Sequence, residues 1–254
     1  MVGFGPLVAL VSISGCRLLG AAQEVTDLLE DPITMQGWYV GVELPPGIDL
    51  EGSSLDIGAQ AQAWVQRTNT SGVSVVDGAK VTLMSDRFGS VGLTQEEDTW
   101  IAYGADGLRY EEEDEIRLLV DYGGERARIV METPVGAVAE IPEDHTAGVS
   151  IRVDIRDQDF DNGGVLVYDL TSSIIPGSSG LSGIVYQSDY DVRTPVDPDN
   201  LVIDVDGSVF EPERIYGLGV LGMKASVEED VFGLNRLGSG MASGLAVFHV
   251  VSTL

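Results

Sequence analysis

The sequence predicts an all-β protein with two antiparallel β-sandwich domains behind a signal peptide and a short tether. Three observations lead there. Apolar residues fall on every second position in several stretches, the longest being Leu55, Ile57, Ala59, Ala61, Ala63 and Val65, and period two marks a half-buried strand. The turn dipeptides Asp77-Gly78, Asp106-Gly107 and Gly123-Gly124 separate short strand candidates, as such pairs do between antiparallel strands. No long helical period intervenes, and about six or seven short strands at this spacing argue a sandwich.

Taken in order, residues 2 to 13 are uncharged and mostly apolar, the length of a secretory apolar region and too short to span a bilayer as a helix. Residues 1–15 are therefore read as a signal peptide and 16–34 as a tether, with a short helix over Glu24 to Glu30. A first domain follows over 35–143. Its strands are expected at Trp38 to Leu44, Leu55 to Val65, Ala79 to Ser85, Ser90 to Thr94, Thr99 to Tyr103, Glu115 to Tyr122 and Ala127 to Thr133.

Pro134, Pro142, Asp144 and Gly148 interrupt the alternation, which sets a boundary near residue 144 and a second domain over 144–254. Strands are expected there at Val149 to Ile155, Val165 to Leu170, Ile184 to Gln187, Leu201 to Val205, Ile215 to Met223 and Leu245 to Ser252. Val227 to Leu237 opens on Glu228, Glu229 and Asp230 and closes on Arg236. That charge order suits a helix dipole and predicts a short helix.

The chain holds one cysteine, Cys16, so no intrachain disulfide is possible. Small residues precede it: Ile13-Ser14-Gly15-Cys16 resembles the lipobox of bacterial lipoproteins, in which an aliphatic residue and two small residues lead into the lipidated cysteine. The resemblance implies cleavage before Cys16, a thioether-linked diacylglycerol and an acylated amine on it, and attachment in the cell envelope. Several acyl chains on one residue hold a protein stably on a membrane, where one chain binds only marginally. Arg17 is not the Asp that retains some lipoproteins at the inner membrane, so the resemblance favours the outer membrane.

Behind the lipobox, Asp77-Gly78-Ala79-Lys80-Val81-Thr82-Leu83, Tyr110 and the strand Ile116 to Tyr122 resemble immunoglobulin-like or transthyretin-like modules of envelope lipoproteins. That likeness spans roughly 35–143 and implies a structural or protein-interaction role without enzymatic activity.

Charge narrows the partners. A formal net charge of −27 and a pI near 4.1 repel nucleic-acid phosphates and anionic headgroups, which argues against nucleic acid as a partner. Cations, basic partners or a glycan remain. Asp157, Asp159 and Asp161 alternate as in a calcium loop, but Gly163 stands at position 7 and Tyr168 at position 12, where an EF-hand wants glycine at 6 and glutamate at 12. A hairpin turn explains the same residues, and a calcium- or glycan-binding surface is the alternative function.

Other motifs carry less. Gly217-Leu218-Gly219-Val220-Leu221-Gly222 has dinucleotide spacing but sits among antiparallel strand candidates, so it is read as a glycine-rich strand packed closely against a neighbour. Glu111 to Glu115 is a run of five acids, expected as a solvated loop. His145 and His249 are the only imidazoles and show no zinc or hydrolase spacing. The total of 41 acids makes some close carboxylate pair certain, which leaves a hydrolase using paired carboxylates as the second alternative. Alternation puts Trp64 opposite the apolar row, while Trp38 and Trp100 are assigned to the first core.

Overall fold

The computed structural model describes residues 33–45, 58–69, 72–155, 160–171, 183–188, 201–226, 228–236 and 238–254. The lipobox residues Ile13, Ser14, Gly15 and Cys16 and the helix expected over Glu24 to Glu30 lie outside them, as do Asp157 and Asp159.

The fold is all-β. In chain order the strands are β1 (Ile33–Glu43), β2 (Ala59–Asn69), β3 (Gly72–Val75), β4 (Lys80–Ser85), β5 (Gly89–Gly92), β6 (Thr94–Glu96), β7 (Thr99–Tyr103), β8 (Glu115–Tyr122) and β9 (Glu125–Glu132). The chain continues through β10 (Asp144–His145), β11 (Ile151–Ile155), β12 (Asn162–Asp169), β13 (Gly183–Gln187), β14 (Leu201–Val205), β15 (Ile215–Ala225), β16 (Val231–Phe232) and β17 (Gly240–Thr253). Among the described residues, no helix is long and apolar enough to cross a membrane.

Among the described residues the strands form three sheets. A ten-stranded sheet runs β13-β12-β15-β17-β1-β2-β7-β6, with β10 beside β17 and β3 beside β2. A five-stranded sheet, β16-β9-β8-β4-β5, and the pair β11-β14 complete the set. Both smaller sheets share a core with one face of the large one. Ile33, Met35, Ala61, Ala63, Val65 and Trp100 from the large sheet pack with Leu83, Ile116, Leu118 and Ile129 from the five-stranded sheet. Val165, Val167, Leu218 and Val220 pack with Ile151, Val153, Ile155 and Val205 of the pair.

The three turn dipeptides do different work. Gly123 and Gly124 both have positive φ, 58° and 88°, the conformation a two-residue hairpin loop requires, and they join β8 to β9 as expected. Asp77-Gly78 and Asp106-Gly107 instead lie where the chain leaves the large sheet, from β3 to β4 and from β7 to β8. Both are corners between layers rather than hairpin turns.

Two pairings among the described residues are parallel, the short one of β10 with β17 over Asp144 and His145 and the long one of β1 with β17. β1 lies parallel to β17, from Gln36 opposite Gly240 to Glu43 opposite Val247, and antiparallel to β2 on its other side. Hydrogen bonds between β1 and β17 thus join residues on either side of position 144. The strand needs buried neighbours on both faces, and its burial is nearly continuous from Ile33 to Gly41.

Three expectations change here. The helix over Val227 to Leu237 does not form: Glu228–Asp230 makes one 3-10 turn and Val231 enters β16, pairing with β9. Burial of Val231 and Leu234 in the first core outweighs a favourable charge order. Trp38 is buried, but it belongs to the second face of the large sheet with Val40, Tyr168, Leu221 and Phe248. Trp100 does lie in the first core, its indole Nε1 donating to the Ala79 carbonyl at 3.2 Å. The third is β2, whose Ala59 to Val65 row is buried as alternation requires, yet Gln60 and Gln62 opposite it are also buried. Both side-chain rows of β2 are thus buried over Ala59 to Ala63.

The glycine-rich strand is β15. A Cβ on Gly219 would come within 2.8 to 3.0 Å of the Phe248 ring, and one on Gly217 within 3.2 Å of it. The glycines therefore make room for an aromatic ring on the neighbouring strand.

Candidate binding cleft

The segment between β7 and β8 enters the five-stranded layer over the end of β1. Two glycines allow the approach. A Cβ on Gly41 would stand 2.3 Å from the Tyr110 ring and 2.8 Å from Leu245, and one on Gly136 would stand 2.8 Å from Val247. The Tyr110 ring stacks on Tyr39, with centroids 5.1 Å apart and 29° between planes. Both hydroxyls then bind backbone: Tyr39 donates to the Arg109 carbonyl, and Tyr110 donates to the Pro134 carbonyl at 3.1 Å.

These contacts set the acidic run in place: Glu112, Glu113 and Glu115 are exposed, as expected of a solvated loop, and Asp114 alone is buried. Asp114 is buried and accepts from the Ser85 hydroxyl, which in turn accepts from the Arg87 amide at 2.9 Å. Thr133 clasps the run: its hydroxyl donates to the Glu111 carbonyl at 2.6 Å and accepts from the Asp114 amide at 2.9 Å. Glu112 accepts from the Gly136 amide at 2.6 Å. Glu113 sits at φ 51°, in the left-handed region that non-glycine residues seldom occupy. Of the five acids only Asp114 is buried, and the Ser85 hydroxyl compensates the burial of its carboxylate.

Beside the run opens a cleft of about 590 Å³. Val42, Leu108, Tyr110 and Leu245 give it an apolar side, and Glu43, Arg87, Arg109 and the acids Glu111 to Glu113 its polar one. Arg87 is committed to the wall, its Nη1 donating to the Glu112 carbonyl at 3.0 Å and its Nε lying 4.0 Å from Asp114. Burial, with the neighbouring Tyr110 and the charges of Asp114 and Glu111, holds the Tyr39 hydroxyl far above its ordinary range. Burial acts in the same direction on Tyr110. Both phenols are therefore neutral hydrogen-bond donors. The cleft offers carboxylates, two guanidinium groups and an apolar wall, which suits a polar or basic group carrying some apolar surface.

Tyr110 and Glu111 to Glu113 of the acidic run, singled out in the sequence, line this cleft, whereas the candidate lipidation and metal residues do not converge on it. Cys16 and its lipobox, with Asp157 and Asp159, are outside the described residues. Asp161 is described, and one carboxylate oxygen accepts from the Ala225 amide at 2.8 Å, a bond across 64 residues; the hairpin expected around it does not form, because β11 pairs with β14 and β12 with β13 and β15, in different sheets. Among the described residues, no group of three or more His, Cys, Asp or Glu side chains is arranged to hold a metal ion. His145 lies in β10, its Nε2 2.7 Å from the Val149 carbonyl and its ring edge-on to Phe210. His249 lies half-buried in β17. Tyr39, Arg87 and Arg109 were not anticipated; the signal for Tyr39 is its place between Gly37 and Gly41 on one face of β1, where glycines mark a close approach.

Fold and cleft together define a layered all-β protein with an acidic, partly apolar groove. No family model matches the chain, and no curated protein matches its sequence. Among solved structures, it is similar to Salmonella alpha-2-macroglobulin reacted with methylamine at 8% identity and TM-score 0.24, covering 92% of this chain. The chain spans only 15% of that protein's length. It is also similar to the two tandem V-type regions of VCBP3, a v-region-containing chitin binding protein, at 8% identity and TM-score 0.20, over 85% of this chain and 99% of that one.

Proposed function

We propose that the chain is a lipid-anchored protein of the bacterial cell envelope, held through Cys16, with a structural or protein-interaction role and no enzymatic activity. Its segments 35–143 and 144–254 act as immunoglobulin-like sandwich units, and the outer membrane is the favoured location. The anchor rests on the sequence Ile13-Ser14-Gly15-Cys16. One structural observation supports the non-enzymatic half of the reading: beside the cleft, the Glu112, Tyr39, Tyr110 and Thr133 side chains bind backbone groups and the Asp114 carboxylate binds the Ser85 hydroxyl. Asp114, Glu112, Tyr39, Tyr110 and Thr133 each fix a loop, which builds a shaped surface instead of a reacting centre.

The test is membrane fractionation of wild type and Cys16→Ser, with mass spectrometry of the N-terminal peptide. Wild type is expected in the membrane fraction with an acyl mass on Cys16, and the variant in the soluble fraction. Identical fractionation without an acyl mass sinks the anchor. Chemical cross-linking in the envelope then reads the interaction role, and an envelope in which the protein cross-links to nothing counts against that half.

A further inference from the structure

The second face of the large sheet is apolar over β17, where Ala242 and Ala246 lie beside Trp38 and Val40. It becomes polar over β2. Trp38 of β1 and Gln62 of β2 stand directly opposite one another in the antiparallel register. Both are buried, at 1% and 5% exposure. Neither the Trp38 indole Nε1 nor the Gln62 Oε1 has a hydrogen-bond partner among the described residues. Buried polar atoms left so are uncommon, and each calls for a physical explanation.

The two atoms are complementary, one a donor and one an acceptor, and they do not meet. Directly opposed residues in an antiparallel pair have Cβ atoms about 4.5–5.5 Å apart, so the two side chains leave the sheet as neighbours. One oxygen bonded to both atoms would bridge a gap of up to about 6 Å between them. The chemistry of the intermediary follows from what each atom lacks. It must accept from the indole N–H and donate to the amide oxygen. A carbonyl cannot donate and an ammonium cannot accept, whereas a hydroxyl-type oxygen does both. We propose that Trp38 Nε1 and Gln62 Oε1 form a binding site for one hydroxyl-type oxygen, supplied by a water molecule or by the hydroxyl of an alcohol or sugar. Gln60, buried beside Val40, and Trp64, half-buried across from Gln36, extend the same face with a second amide and a second indole. The site does not depend on the anchor or on the cleft.

The test uses the whole chain and solution NMR. The Trp38 indole proton is identified as the signal among three tryptophans that Trp38→Phe removes. In wild type it is expected to show a through-space exchange peak to a bound water. Gln62→Leu is expected to weaken that peak and to lower the melting temperature by about 2–4 °C, the shift of roughly one lost hydrogen bond in a chain of this size. Titration with methyl α-glucoside separates the sources. A saturable shift of the Trp38 signal that displaces the water peak assigns the oxygen to a ligand, and an unchanged peak at high sugar assigns it to water. The proposal fails if wild type shows no such peak and no sugar shift. It also fails if Gln62→Leu raises the melting temperature and leaves the Trp38 signal in place, because that is how an acceptor with no partner behaves.

Discussion

The five-stranded layer and the two-stranded layer rest on the same side of one sheet but fill the space beneath them differently. Under the five strands the floor is made small, by Ala59, Ala61 and Ala63 on β2 and by Gly37 on β1, and large side chains descend into it. Leu118 reaches so close that a Cβ on Gly37 would lie 2.5 Å from it. Under the two strands both surfaces are β-branched, with Val153, Ile155, Val165, Val167 and Val220 interleaved. Phe210 and Tyr216 close the end edge to face, 5.4 Å apart at 87°. A wide roof can carry bulky residues down to a flat floor, while a narrow one needs stiff side chains from both sides and an aromatic plug.

The strongest way to break the comparison is to empty the first core. Trp100→Ala removes a fully buried ring and the bond to Ala79, and is expected to cost about 3–5 kcal/mol. Because β1 and β17 join, within one sheet, the parts that carry the two smaller layers, the loss is expected as one cooperative shift in urea unfolding, followed by far-UV circular dichroism and tryptophan fluorescence together. Two separate transitions, with only one displaced, would show the layers to be independent units.

A smaller effect probes the opposite face. Gly219→Ala places a methyl group 2.8 Å from the Phe248 ring, and overpacking of this kind costs about 1–3 kcal/mol. The paired change Gly219→Ala with Phe248→Leu is expected to recover part of the loss in the same unfolding assay. No recovery would mean that the strand excludes the methyl group for another reason.

The smallest effect contrasts the satisfied polar groups of the first layer with His249, whose buried Nε2 has no partner among the described residues. Burial lowers its pKa below the ordinary 6.5, so the folded chain binds that proton less readily than the unfolded one. Its contribution to stability is therefore complete above the unfolded pKa and is lost as pH falls toward the folded one. His249→Val is expected to flatten that segment of the melting curve between about pH 7 and pH 5. An unchanged slope in the variant would place the dependence elsewhere.

Most strands are legible in the sequence because alternation is a local signal. Thr99–Tyr103, Glu115–Tyr122 and Leu201–Val205 occur at the limits that the residues imply. What alternation cannot convey is which sheet a strand joins. Asp77-Gly78 and Gly123-Gly124 have the same turn chemistry, yet one passes between layers and the other makes a hairpin, a choice set by packing partners far along the chain. The parallel β1–β17 pair leaves no turn to read. Trp38 was misplaced for a related reason: with both faces of β1 buried, nothing in its sequence says which core its ring enters. The cleft was least legible, since Asp114 owes its burial to Ser85 and Thr133, residues distant in sequence and unremarkable in type.

The pairing of β1 with β17 also sets the order in which the molecule can be finished. Met35 and Ser239, joined by a hydrogen bond, are 204 residues apart, and contacts of such separation incur their loop-closure cost before they return any stabilisation. A chain emerging from the ribosome holds β1 beside β2 long before its parallel neighbour exists. Until Gly240–Thr253 has been made, that flank of β1 is an open edge, the kind of surface that recruits foreign strands. The strand β17 is thus the one that covers the flank of β1 left open by β2.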